Sequence, residues 1–128
     1  MPNRPFVLIG EDDELIQMVM ERALEGAGFR VECVDDGGRL LERVGLNRPD
    51  VLVLDIFMPT VDGFEILRRI RADPSLAGLK VVICSALKRA EDYQMAESLG
   101  AAGFVSKPFS PSDLVREIRG LVAGDRAA

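Results

Sequence analysis

Five short apolar runs, rich in β-branched residues and separated by stretches with helical periodicity, limit this chain to a small set of folds. The runs are Phe6 to Gly10, Arg30 to Val34, Val51 to Asp55, Lys80 to Cys84 and Gly103 to Val105. Hydrophobic strands alternating with amphipathic helices need cover on both faces, as in a parallel sheet held between two layers of helices. The second and fifth runs are the least apolar and suit the sheet edges. With 128 residues, 48% hydrophobic and 29% charged, the chain fits one domain over 1–128, with a core from about 6 to 121 and a flexible tail at 124–128.

The intervening stretches carry their own start and stop signals. Leu15, Met18, Val19, Ala23 and Leu24 recur at helical spacing, and Gly26 and Gly28 end that helix. A shorter second helix runs from about Gly38 to Val44. Asp62 followed by Glu65 resembles a capping box, Ile66, Leu67 and Ile70 form the apolar face behind it, and Asp73 with Pro74 ends the third helix. The fourth helix spans about Ala90 to Leu99 with Gly100 as its stop, and Ser110 with Pro111 opens the fifth, whose face is Leu114, Val115, Ile118 and Leu121. Arg68, Arg69 and Arg71 read as a solvated helix face.

A (βα)5 chain of this length fits the flavodoxin-like three-layer α/β sandwich, strand order 2-1-3-4-5, whose ligand site lies beyond the carboxyl ends of strands one and three. Strand one runs into Glu11 and Asp12, and strand three ends at Asp55. Adjacent acids after a strand are common in surface turns, but a third carboxylate in the same crevice makes a cluster that a divalent cation would neutralise. Oxygen donors select a hard ion, and Mg²⁺ fits because it takes a few carboxylates and bridges to phosphate oxygens. A carboxylate in that position can also attack phosphorus and form an aspartyl phosphate.

Other classes are disfavoured by composition. The formal charge of −5, without an aromatic-studded basic tract, argues against nucleic acid as a direct ligand. No apolar run reaches the ~20 residues of a membrane span and the start lacks a signal-peptide core, so a soluble cytoplasmic protein is expected. Cys33 and Cys84 lie in strand-like runs and read as buried free thiols.

The stretch from about Phe6 to Leu121 resembles the response-regulator receiver family of two-component signalling, the family of CheY-like proteins. In VLIGEDDELI, Asp12 matches the main magnesium carboxylate and Glu11 its neighbour, with Asp13 on the rim. In VLDIFMPTVDGFEIL, Asp55 matches the phosphate acceptor, Pro59 and Gly63 shape the loop, and Phe57 offers its backbone carbonyl to the metal. Ser85 lies thirty positions after Asp55, where the family has a hydroxyl, and Lys107 lies fifty-two after it, where the family has a lysine followed by a cis proline, here Pro108. The resemblance implies that Asp55 takes phosphate from a phosphohistidine with Mg²⁺ as cofactor, helped by Lys107 and Ser85. It also implies that Phe104, otherwise a permanent core residue, turns inward and alters the face of helix four, strand five and helix five. The family often has Tyr there; Phe104 has no hydroxyl.

The implied role is a phosphorylation-controlled switch rather than an enzyme for an external substrate. Its partners would be a sensor histidine kinase or histidine phosphotransfer protein and a downstream protein target, since no output segment follows helix five. The domain would be a monomer or a weak dimer through helix four, strand five and helix five. Asp13, Gln17, Met18 and Glu21 are candidate contacts for the donor. Phe57 and Leu87 are expected to flank the path of the hydrolytic water and slow dephosphorylation. A haloacid-dehalogenase phosphatase would need a second acid where Phe57 stands, and a flavodoxin would need a phosphate cradle where this chain has EDDEL.

Overall fold

The computed structural model describes residues 4–127. Its strands are β1 (Phe6–Gly10), β2 (Arg30–Val34), β3 (Val51–Leu54), β4 (Lys80–Ser85) and β5 (Gly103–Ser106), and its helices α1 (Glu14–Gly26), α2 (Gly37–Leu46), α3 (Gly63–Ala72), α4 (Ala90–Ser98) and α5 (Pro111–Ala127). A single 3₁₀ turn, Pro74–Leu76, joins α3 to β4. The strands form one parallel sheet in the order β2-β1-β3-β4-β5, so the two least apolar strands are its edges.

Strand alternation sends side chains to two separate cores. Leu8, Leu52, Leu54, Val81 and Ile83 meet Leu40 and Val44 of α2, Ile66, Leu67 and Ile70 of α3, and Ala96 of α4. Val7, Ile9, Val51, Val53, Val82, Cys84 and Val105 face the other way and meet Met20 and Leu24 of α1 and Leu114 and Ile118 of α5. Burial pushes the thiol of Cys84 up to about 12, and that of Cys33 likewise, so neither is a nucleophile near neutral pH.

Two local expectations, for α1 and α2, differ from the structure. The face of α1 that enters the core is Ile16, Met20 and Leu24, at i, i+4 and i+8, whereas Leu15, at 69% exposure, Met18 and Val19 stand outside. Helix α2 begins at Gly37 because the Asp36 side chain caps it by accepting from the Arg39 amide. The tail expected from Gly124 falls on the last turn of α5, whose bounds reach Ala127, and on Ala128, which lies outside the described residues.

Arg71 is not on a solvated face. Its guanidinium donates to the backbone carbonyls of Leu99 (3.2 Å), Ala77 (3.2 Å), Leu79 (2.8 Å) and Gly100 (2.9 Å), joining the end of α3 to the start of β4 and the end of α4. Gly100, at φ 87, has no Cβ, which would stand 2.7 Å from Arg71 Nε. Arg71→Ala should therefore lower the unfolding free energy by about 2–3 kcal/mol in urea titrations, with Arg71→Lys recovering less than half because an ammonium cannot reach carbonyls in a fork. A loss within about 0.5 kcal/mol, normal for an exposed side chain, would contradict the clip.

Candidate functional site

Four strand ends converge on one acidic pocket. Glu11 follows β1, Asp55 follows β3, Ser85 ends β4 and Lys107 follows β5. Oxygens of Glu11, Asp12 and Asp55 lie within 4.8 Å of one another. Glu11 is 1% exposed and Asp55 is buried, while Asp12 is open to solvent.

Lys107 balances the two buried acids. Its ammonium donates to Glu11 Oε1 at 2.6 Å and to Asp55 Oδ2 at 3.0 Å. The other oxygen of Asp55 accepts from the Ser85 hydroxyl at 2.9 Å and the Phe57 amide at 3.1 Å. Burial works against the Lys107 ammonium, but its hydrogen bonds and charge attraction to Glu11 and Asp55 outweigh that and raise its pKa. Glu11 is raised as well, because loss of solvent outweighs the stabilisation it receives from Lys107 and the Asp13 amide.

The surrounding loops are tied by bonds that pattern reading did not anticipate. Gln17 is not a free surface contact, since its side-chain amide donates to the backbone carbonyl of Glu11 at 2.5 Å. Asp13 is exposed, yet it is also the N-cap of α1, accepting from the Leu15 and Ile16 amides. Thr60, with φ 73, donates to Asp36 at 2.5 Å and joins the loop after β3 to the start of α2. A Cβ on Gly63 would lie 2.6 Å from Ile56 Cα and 2.8 Å from the Asp55 carbonyl oxygen, so only glycine lets α3 start this close behind Asp55. The Lys107–Pro108 peptide is cis.

Phe57 is 63% exposed, beside the pocket. The Leu87 side chain is buried and belongs to the core cluster shared with α2, α3 and α4. Phe104 is half-buried and meets the ring of Tyr93 edge-on, with centroids 5.3 Å apart. Tyr93 was not singled out from the sequence; its signal was being the chain's one tyrosine, on the helix after Ser85.

The response regulator receiver domain profile matches residues 7–119. The chain belongs to that family. Among curated relatives, the receiver is 36% identical over 122 residues to the transcriptional regulatory protein CseB of Streptomyces avermitilis, covering 95% of this chain and 51% of the relative. It is 33% identical over 116 residues to the response regulator MprA of Mycobacterium leprae, covering 91% and 50%. The chain thus spans about half the length of the curated relatives it matches. Among solved structures, chemotaxis protein CheY4 of Vibrio cholerae superposes with a TM-score of 0.87 at 27% identity, covering 93% of this chain and 99% of that one. The Francisella response regulator 1452 receiver domain gives 0.86 at 30%, covering 92% and 96%.

The donor set suits a hard cation. Three carboxylates against one ammonium leave an excess of negative charge, and Asp12 is exposed and accepts no hydrogen bond among the described residues. The raised Glu11 fixes the sign of a pH effect: its contribution to stability is full below the unfolded value of 4.5 and is lost as pH rises through the folded one. In metal-free buffer the stability of Glu11→Gln relative to the parent should rise as pH climbs above 4.5. Urea unfolding of both proteins across that range checks it, and a flat or falling difference would contradict a carboxyl dominated by burial.

Proposed function

We propose that Asp55 is the phosphate acceptor of this receiver domain. One observation carries the reading: the two oxygens of a buried carboxylate are held by an ammonium, a hydroxyl and a backbone amide beside a cluster of further acids. In the reaction, an oxygen of Asp55 forms a bond to phosphorus while the phosphorus–nitrogen bond of a partner's phosphohistidine breaks, and the imidazole leaves with the electron pair. Lys107 releases Asp55 and offsets charge on the phosphoryl oxygens, and Ser85 donates to one of them. Glu11, Asp12, Asp55 and the Phe57 carbonyl would hold Mg²⁺, which when bound supplies further positive charge to those oxygens.

The donor is a sensor histidine kinase or a histidine phosphotransfer protein in the cytoplasm. It docks on the exposed α1 residues Leu15, Met18 and Val19, of which Leu15 and Val19 line a hollow with Lys107. The readout is the face of α4, β5 and α5, offered to a downstream protein target. No helix among the described residues is long and apolar enough to cross a membrane.

Intact mass after acetyl phosphate treatment should show one phosphate increment that requires Mg²⁺ and disappears in Asp55→Asn. Asp12→Ala should weaken Mg²⁺ binding by at least about tenfold, with the unfolding midpoint unchanged or raised. Undiminished labelling of Asp55→Asn would refute the acceptor, and parent-like Mg²⁺ affinity in Asp12→Ala would refute the ligand.

The lifetime of the phosphorylated state rests on Phe57, whose apolar ring cannot orient a water in line with the scissile bond. Phe57→Asn should shorten it, read as decay of radiolabelled protein in excess Mg²⁺. Equal or slower decay would remove Phe57 from the water's path.

A further inference from the structure

The loop 86–89 between β4 and α4 has no regular structure, and Arg89 caps α4 without a side-chain hydrogen bond. Its geometry matters because Ser85, directly before it, must aim a hydroxyl at Asp55. Among the described residues, one side chain bonds the backbone of this loop: the Tyr93 hydroxyl donates to the Leu87 carbonyl at 3.1 Å. The same hydroxyl lies 3.3 Å from Ser106 Oγ, on the last residue of β5 and next to Lys107. The Tyr93 ring is braced by Phe104, at an interplanar angle of 60°. One phenol therefore bridges the segments that follow Ser85 and precede Lys107, and it supplies a hydroxyl in a place where Phe104 has none.

We propose that Tyr93 is a positioning residue: its hydroxyl holds the loop after β4 against the end of β5 and so keeps the Ser85 hydroxyl turned towards Asp55. The proposal rests on Asp55 being the acceptor. Leu87 contributes too, because its side chain is buried in the core that Tyr93 and Phe104 pack against and so fixes the residue whose carbonyl Tyr93 grips. A loop held at both its side chain and its carbonyl loses little freedom when the phosphoryl group arrives, which is how preorganised donors lower a barrier. The action runs through Ser85 and not through the other acids of the pocket, which follow β1 and β3.

Tyr93→Phe keeps the ring against Phe104 and removes only the hydroxyl. Its maximal rate of labelling by acetyl phosphate at saturating Mg²⁺ should fall about tenfold, the scale of one neutral hydrogen bond. Mg²⁺ affinity by calorimetry should stay within about twofold of the parent, and amide exchange at 86–89 should quicken. In a Ser85→Ala background the same substitution should add no further loss. A parent-like rate in Tyr93→Phe beside an inert Asp55→Asn overturns the Tyr93 proposal alone. A full tenfold loss in the Ser85→Ala background overturns its action through Ser85. Retained labelling of Asp55→Asn overturns the acceptor assignment, and this proposal with it.

Discussion

A single ammonium shared between two buried carboxylates is the constraint on which the rest of this molecule depends. Glu11 and Asp55 are withdrawn from water, and an isolated buried charge costs several kcal/mol. Lys107 offsets that cost only if three strand ends from different βα units arrive within hydrogen-bond reach, because Lys107 is ninety-six residues from Glu11 and fifty-two from Asp55. The parallel sheet, its order and the loop that starts with Asp55 are what bring them there. The electrostatic balance is incomplete, since Asp12 adds charge at the open side and forms no ion pair among the described residues.

Around this centre runs a second layer of contacts that restrain the loops. Gln17 grips the carbonyl of Glu11, Thr60 grips Asp36, and Gly63 permits the close approach of α3 behind Asp55. Each holds a loop that carries a carboxylate or its neighbour, so the two acidic loops are restrained from several directions. The loop after Ser85 is restrained less, by the burial of Leu87 and one phenolic hydroxyl.

Much of this was legible in the residues alone. Apolar, β-branched runs and the helical patterns between them located the five strands and five α-helices described here, and the switch point of the inferred topology placed the acids at one end of the sheet. What escaped was the direction in which particular side chains point. Leu15, Met18 and Val19 repeat at helical spacing as well as Ile16, Met20 and Leu24 do, and only the docking of α1 on the sheet decides which set is buried. Arg71 and Gln17 looked like solvated polar residues because their partners are backbone carbonyls, which carry no residue type for a pattern to find. Leu87 follows Ser85 by two residues, and its burial in the core is likewise decided by packing.

The Arg71 clip has a mechanical consequence for α4. Its guanidinium fastens the Leu99–Gly100 end of the helix to α3 and the start of β4, whereas towards the opposite end the tie is the Tyr93 hydroxyl on the Leu87 carbonyl. A rod of nine residues is about 14 Å long. The pinned end is the one farther along the chain from Ser85, so the end of α4 nearest Ser85 is the one held by fewer side-chain bonds to its flanking backbone.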